Sequence, residues 1–474
     1  MSSHGLVSSF EKLEMFVGED SNENHGTQSD ASSSTRDTLK ALTYNADHGP
    51  YFIDDADKAY IILLNVFRYL SIKDLQAAMQ VCKVWNLVGS DKIFWKRISL
   101  NNCIVHDTDM MVRTLKKCGT ERLDLRGMSS FKMVRLLPSD DNWSSLLKGL
   151  INTIEMPDKW LSLCEALTKV TTLTEVTIEE CSAHAVNLLA KGAPQLKSLV
   201  AYRIIKGLDM GMGYMDITFL KDMRCLKKLR LENAVSRELS FDKTSDKIEL
   251  NLTSLAITRA VNLSCIEHIL PPTLVSLELG ECHSLSFNFP KDVLPKLVNL
   301  TRLRLELCNN TYLVIMLVEA ISKLPNLAEL ELINFEISTG FGKVIAKCIN
   351  LKSLLIIPLY GKIPKHLHPL MNSLIVSGVS KLKNSLQVFV WVVTDSMLSV
   401  ENARSLRIGQ NPVKVRVIGR GDVIPLISNN GAGFRIDFIS LDNVQALLLQ
   451  DLKFKVFKTP FSSTWKLSLH NIRM

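Results

Sequence analysis

The sequence lacks any apolar run long enough to cross a membrane. Its longest uninterrupted apolar stretches, 312–318 and 388–393, are far shorter than the roughly 18–20 residues that a spanning helix needs. The first residues, Met1 to Val7, also lack a basic start followed by an apolar segment, so we expect no secretory signal. We therefore expect neither a membrane partner nor a secretory route.

Closely paired cysteines are also missing. The chain has 10 cysteines, but none stands in a Cys-x-x-Cys pair, so a zinc or disulfide framework is not indicated. Instead, Cys181, Cys282 and Cys308 each follow a leucine by eight residues. Such recurrence predicts structural thiols in a reducing compartment, the cytoplasm or the nucleus.

Neither concentrated charge nor a catalytic grouping stands out. The formal net charge is +8 over 474 residues, and the basic residues are scattered, which does not favour nucleic-acid binding. Gly211-Met-Gly213 lacks the Gly-Lys-Ser/Thr of a phosphate-binding loop. We expect no catalytic residues, no metal and no cofactor.

What the sequence has is a repeated leucine pattern. The best copies read Leu-x-x-Leu-x-Leu and begin at Leu226, Leu274, Leu300 and Leu327. From Leu173 to Leu351, successive copies begin 22 to 30 residues apart. One strand and one return segment per copy predict an α/β leucine-rich-repeat solenoid. We expect a horseshoe with parallel strands on the concave face and helices on the convex face.

The chain divides into three parts by composition. Residues 1–54 are polar and Ser-rich, and we expect them to be disordered. Residues 55–100 carry apolar stripes at helical spacing and predict a small helical module. Residues 101–474 are assigned to the solenoid, with clear repeats over 173–410 and degenerate repeats and a cap over 411–474. A helical stripe between 143 and 160 is interpreted as a degenerate repeat or an insertion.

The helical module resembles an F-box. The resemblance is carried by Ile62-Leu-Leu-Asn-Val-Phe-Arg-Tyr-Leu70, Asp74-Leu75, Val81-Cys-Lys-Val-Trp85 and Phe94-Trp95-Lys-Arg-Ile98. It implies a three-helix module that docks on the Skp adaptor of an SCF-type ubiquitin ligase, and through it on a cullin scaffold. The residues expected at the adaptor face are Leu63, Leu64, Val66, Phe67, Leu70, Leu75, Val81 and Trp85, some of which must pack the module's own core. The sequence departs from the family at Lys58-Ala59, where Leu-Pro is usual.

The repeats resemble the cysteine-containing leucine-rich repeats common behind F-boxes, with Cys at the ninth position. Alternation along each strand places positions three, five and seven on the concave wall. The candidate substrate-binding residues on this wall are Lys228, Arg230, Glu278, Arg302, Arg304, Glu329, Glu331, Val388 and Val390. The charged members are equally consistent with salt bridges between neighbouring repeats, with Arg302 beside Glu329 and Arg304 between Glu278 and Glu331. The valines form an apolar patch that the last segment of the chain could cover.

These features lead to one main hypothesis and one alternative. The main hypothesis is a substrate-recognition subunit of an SCF-type ubiquitin ligase, in which the module holds the adaptor, the repeats hold an unknown target protein and no bond chemistry occurs on the chain itself. The alternative, favoured by Lys58-Ala59, is a leucine-rich-repeat interaction scaffold in which the helical module only caps the first repeat.

Overall fold

The structure is a computed structural model that describes residues 56–101, 103–105, 107–130, 159–204, 215–232, 239–240, 250–258, 263, 266–308, 310–408, 411–429, 434–448 and 453–472. The expected disordered segment 1–54 and most of the stripe at 143–160 lie outside these residues. The chain separates into two compact units, Met1–Leu208 and Asp209–Met474.

The first unit begins with short helices. They are α1 (Ala56–Phe67), α2 (Ile72–Ala78), α3 (Lys83–Gly89) and α4 (Lys92–Trp95), followed by α5 (Thr108–Cys118), α6 (Lys159–Thr168) and α7 (Ala183–Gly192). The predicted cap of α2 is confirmed, because the Ser71 hydroxyl oxygen accepts a hydrogen bond from the Asp74 N–H at 3.2 Å. Asp91 caps α4 in the same way through the Ile93 N–H at 2.9 Å.

Four parallel strands follow one another in this unit. They are β1 (Arg97–Ser99), β2 (Arg122–Asp124), β3 (Glu175–Glu179) and β4 (Ser198–Tyr202), and each pairs with the next.

Eight parallel strands form the sheet of the second unit. They are β5 (Lys228–Glu232), β6 (Ser254–Thr258), β7 (Ser276–Leu279), β8 (Arg302–Cys308), β9 (Glu329–Phe335), β10 (Ser353–Pro358), β11 (Val388–Thr394) and β15 (Lys453–Thr459). Each strand pairs with the next in this order. The fourth position of every copy lies beside the fourth position of the next: Leu229, Leu255, Leu277, Leu303, Leu330, Leu354, Phe389 and Phe454. Since this register is the one that the leucine pattern requires, the leucine-rich-repeat solenoid is confirmed.

Return segments of this sheet are helical or built of short turns. The α-helices are α8 (Thr311–Ile321), α9 (Phe341–Ile345), α10 (His368–Val379), α11 (Val400–Arg404) and α12 (Leu441–Leu448). The short helical turns are Thr218–Lys221, Ile266–His268, Cys282–Ser284, Phe289–Val293, Leu294–Lys296, Tyr360–Lys362, Lys365–Leu367, Ser380–Leu382 and Phe461–Lys466. Among the described residues, no helix is both long and apolar enough to cross a membrane.

The structure differs from the sequence expectation between residues 411 and 440. There, β12 (Lys414–Ile418), β13 (Val423–Asn429) and β14 (Phe434–Ser440) form a separate three-stranded sheet. Strand β14 pairs parallel with β12 and antiparallel with β13. Alternating apolar residues identify strands, but they do not say which sheet a strand joins, and only β15 continues the repeat sheet.

Five repeats share the same backbone turn at the end of their strand. Among the described residues, five non-glycine residues have a positive φ, and each lies seven positions after the leucine that begins its copy: Glu180, Arg203, Glu281, Leu307 and Asn334. In three copies the next residue is the ninth-position cysteine, Cys181, Cys282 or Cys308, and all three are fully buried. The left-handed turn thus directs the following side chain into the core at the same point of each copy.

The buried cysteines are expected to be unreactive in the folded chain. Burial raises the pKa of Cys308 and of Cys348 to about 12, and the thiolate is the reactive form. We predict that iodoacetamide labels the exposed Cys82 and Cys225 within minutes and labels Cys308 and Cys348 only after denaturation. Mass spectrometry of peptides from the native chain checks this, and rapid native labelling of Cys308 would contradict the buried slot.

Two glycines allow α9 and α10 to pack at short range. A Cβ at Gly342 would lie 2.6 Å from the Leu374 carbonyl oxygen, and one at Gly378 would lie 2.4 Å from Ile345 Cγ2. Such distances are too short for real contacts, so glycine at both positions is required by the packing of these two helices.

A buried histidine ties the start of α10 to two other segments. The His368 ring Nε2 lies 3.0 Å from the carbonyl oxygens of Tyr360 and Ile363, and Nδ1 accepts a hydrogen bond from the Leu398 N–H at 3.0 Å. This arrangement requires the neutral ring with its proton on Nε2. Burial lowers the pKa of His368, although the two carbonyls oppose the shift.

We predict an acid-sensitive contribution to stability from His368. The unfolding free energy falls as the pH drops below about 6.5. At that pH the histidine of the unfolded chain binds a proton, whereas the buried His368 of the folded chain stays neutral. The unfolding free energy of the chain should thus fall more steeply between pH 7.5 and pH 5.5 than that of His368→Gln. Chemical denaturation at each pH measures both slopes, and equal slopes would contradict the prediction.

Candidate functional site

The helical module has its own aromatic core. The Phe67 ring packs edge-on against Trp85, with ring centroids 5.4 Å apart, and tilts against Phe94 at 6.2 Å. Phe67 is 2% exposed and Leu75 is 3% exposed. These two residues were among those expected at the adaptor face, some of which were expected to pack the module's own core, and the structure places both side chains inside the module.

The other six expected residues divide by exposure. Val66 and Val81 are exposed, while Leu63, Leu64, Leu70 and Trp85 are half-buried. Of the half-buried residues, Trp85 packs against Phe67 in the core. Whether these six residues contact an adaptor stays a prediction.

The module also exposes apolar residues that were not among the expected ones. Ile61, Ile62 and Tyr69 are exposed, Tyr69 by 91%. Ile62, Val66 and Tyr69 are spaced i, i+4 and i+7, so they lie on one side of α1 and of the turn that follows it. We call the exposed residues Ile61, Ile62, Val66, Tyr69 and, from the turn between α2 and α3, Val81 the module face.

The module is joined to the first repeat through its last helix. Trp95 is buried, and its indole N–H donates to the Gly89 carbonyl oxygen at 2.9 Å. The Thr120 hydroxyl donates to the Trp95 carbonyl oxygen at 2.9 Å, just before β2. β1 begins at Arg97, two residues after Trp95, so α4 leads directly into the first strand of the repeat sheet.

Salt bridges between repeats cover much of the charged wall of the second unit. Arg302 lies beside Glu329, with Nε and Oε2 3.2 Å apart, as the register predicts. Arg230 reaches across β6 to Glu278, with Nη2 and Oε2 2.5 Å apart. The interpretation of these charges as an inter-repeat ladder is confirmed for these two pairs. Lys228 lies in the same cross-strand row as Arg302 and Glu329, and it is exposed.

Arg304 and Glu331 are not exposed wall residues. Arg304 is 8% and Glu331 5% exposed, because residues 461–472, which we call the strap, lie across β8 and β9. Arg304 Nη1 lies 2.5 Å from Glu331 Oε2, and its guanidinium also contacts Glu306. Glu278, the other expected neighbour, bonds Arg230 instead. Burial opposes the charge of Arg304, but Glu306 and Glu331 outweigh it and raise its pKa.

The valine patch is also covered. Val390 is fully buried in a cluster with Ile333, Leu355, Ile357 and Val392. The side chains packed over this cluster are Val388, Phe457, Leu467, Leu469 and Ile472. The prediction that Val390 is exposed for binding a target is therefore wrong. Val388 is half-buried. The last segment covers the patch, which the sequence had left open.

An open groove remains beside the strap. It has a volume of about 200 Å³ and is bordered by Lys228, Arg230, Glu278, Arg302, Glu329 and, from the strap, His470. The strap's His470 ring lies 3.2 Å from Glu329 Oε2. Among the described residues, no group of three or more His, Cys, Asp or Glu side chains could hold a metal ion.

Comparison with known proteins identifies the module. Residues 62–101 match the F-box-like family model, so the resemblance seen in the sequence is confirmed for this part of the chain. The match begins at the exposed Ile62 and runs to Asn101, just after β1.

Two further proteins are similar to longer parts of the chain. Mouse lysine-specific demethylase 2B is 25% identical over 225 residues, which is 48% of this chain and 14% of that protein. The chain thus spans about a seventh of the length of the relative that it matches. A solved structure described as the yeast Rad7 and Elc1 complex overlaps 92% of this chain and 98% of its own at 13% identity, with a TM-score of only 0.31.

Proposed function

We propose that this chain is a substrate-recognition subunit of an SCF-type ubiquitin ligase. The F-box-like module docks on a Skp adaptor and, through it, on a cullin scaffold. The repeats bind a target protein for ubiquitination, and the chain itself carries out no bond chemistry. This role places the chain in the cytoplasm or the nucleus.

The observation that carries the proposal is the module face on an F-box-like domain. Its five apolar side chains are exposed although the module has a complete core of its own. Several exposed apolar residues on one small module, three of them on one side of α1 and of the turn after it, are typical of a protein contact. Because Phe67 and Leu75 hold the module together from the inside, the face is free to bind without unfolding it.

The repeats support the second half of the proposal. Parallel strands in constant register present side chains from many repeats on one continuous wall, which suits the binding of another protein. Holding a target in this way accelerates transfer through proximity and orientation.

A scaffold without adaptor binding remains the second candidate, and one observation favours it. Trp95 is buried and its carbonyl oxygen accepts a hydrogen bond from the Thr120 hydroxyl, so the last helix of the module contacts the first repeat, which supports a capping role. A covering role of this kind needs no exposed apolar residues, so the two candidates differ in what the module face does.

A cysteine footprint distinguishes the two candidates. Cys82 follows Val81 of the module face and is exposed, whereas Cys225 is exposed in the second unit. We predict that saturating Skp adaptor slows iodoacetamide labelling of Cys82 at least tenfold and leaves Cys225 unchanged. Unchanged labelling of both cysteines would contradict adaptor docking and favour the scaffold.

A further inference from the structure

The strap makes sequence-independent contacts with the wall through its backbone. Arg304 donates to the carbonyl oxygens of Leu467, at 2.5 Å, and Trp465, at 3.0 Å. Glu331 Oε1 accepts from the Leu469 N–H at 2.8 Å. Trp465 lies in a short helical turn and Leu467 follows it in an extended conformation, so these contacts suit any segment with the same backbone course, because they use groups present in every residue.

Side chains add selectivity at neighbouring positions. The Ser468 hydroxyl donates to Glu331 Oε1 at 2.7 Å, and Asn334 donates to the Thr464 hydroxyl at 2.9 Å. Leu467, Leu469 and Ile472 pack against the apolar cluster around Val390. The wall therefore accepts a hydroxyl residue between two apolar residues.

We propose that this part of the wall is a binding groove for a client segment in which a short helical turn precedes the pattern apolar–Ser/Thr–apolar, and that the strap is its occupant within the chain. The inference rests on the proposed function, since it names the segment that the receptor would recognise. The strap itself supplies the chemistry of the partner: two carbonyls for Arg304, an N–H and a hydroxyl for Glu331, and apolar side chains for the cluster.

Because the strap occupies the groove, a client would have to compete with the strap in order to bind. A segment of the same chain acts at an effective concentration that reaches the millimolar range for short flexible connections. A client must therefore bind more tightly than a free copy of the strap, or be held in place by other contacts as well. Only four residues separate β15, which ends at Thr459, from the first strap contact at Thr464.

The test uses the strap as a labelled peptide, Phe461 to Met474, and measures fluorescence anisotropy. A chain that ends at residue 460 should bind the peptide saturably, and the full chain should bind it at least tenfold more weakly because its groove is filled. A peptide carrying Ser468→Asp should lose at least tenfold in affinity, since a carboxylate replaces the hydroxyl donor beside Glu331. A peptide carrying Ser462→Ala, which changes an exposed side chain outside this pattern, serves as the control.

A second variant keeps the test valid if the shortened chain does not fold. In the full chain, Leu467→Asp with Leu469→Asp should open the groove and restore peptide binding. No binding to either variant when it is folded, or equal binding of a scrambled peptide, would overturn the inference.

Selection of binders from a random nonapeptide library, with the Leu467→Asp, Leu469→Asp variant as the target, then identifies the sequence pattern that the groove prefers. Enrichment of apolar–Ser/Thr–apolar sequences is expected, and the absence of any enriched pattern would overturn the proposal of a client groove. Neither result bears on adaptor docking, which the cysteine footprint tests separately.

Discussion

Tyr69→Asp is expected to weaken binding of the Skp adaptor by about 2–4 kcal/mol, a factor of roughly 30 to 1000 in affinity. The change places a charge on a side chain that is 91% exposed in the free chain and would be covered in the complex. Tyrosines at the centre of an interface are common binding hot spots, and a buried unpaired carboxylate adds a desolvation cost. Titration calorimetry with purified adaptor measures the loss.

The chain offers a matched control for this change. Tyr312 at the start of α8 is 80% exposed and lies in the second unit, far along the chain from the module. Tyr312→Asp should leave adaptor affinity within twofold of the unchanged chain, and both variants should keep their thermal unfolding midpoints. An equal, small effect of the two substitutions on adaptor affinity would contradict binding of the adaptor through the module face.

Arg304→Ala is expected to lower the free energy of unfolding by about 3–5 kcal/mol, the range found when one partner of a buried ion pair is removed. Glu306 and Glu331 are both at least nine-tenths buried and would face each other without the guanidinium between them. The strap would also lose the donors to its Trp465 and Leu467 carbonyls. Urea unfolding followed by circular dichroism measures the change.

Arg302→Ala is the control, because it removes an arginine from the same strand two residues earlier. The Arg302 side chain is 55% exposed and bonds only the wall residue Glu329. Exposed pairs of this kind contribute about 0–1 kcal/mol. If the two alanine variants lost equal stability, burial beneath the strap would not be the source of the Arg304 effect.

The repeat sheet could be predicted from the sequence because its signal is redundant. Leucines such as Leu303 and Leu330 recur at near-constant intervals. This period predicts where each strand lies in the sequence and which strand it pairs with. For the same reason Arg302 could be placed beside Glu329 before any coordinates were known. Local alternation carries less information, so residues 414–440 were identified as strands but assigned to the wrong sheet.

The module face and the strap could not be predicted in the same way. In α1, apolar residues occupy more than one side, and only the packing of Phe67 against Trp85 shows which side is internal. The strap has no repeat, and its contacts with Glu331 join residues more than 130 positions apart. Contacts of that range depend on how the chain returns to its own sheet, which no local pattern records.

Co-elution with a purified Skp–cullin pair tests the central claim most directly. The account predicts a single one-to-one complex of the full chain with the pair on size-exclusion chromatography, and loss of that complex with Tyr69→Asp but not with Tyr312→Asp. Separate elution of the unchanged, folded chain and the pair at micromolar concentrations would contradict it.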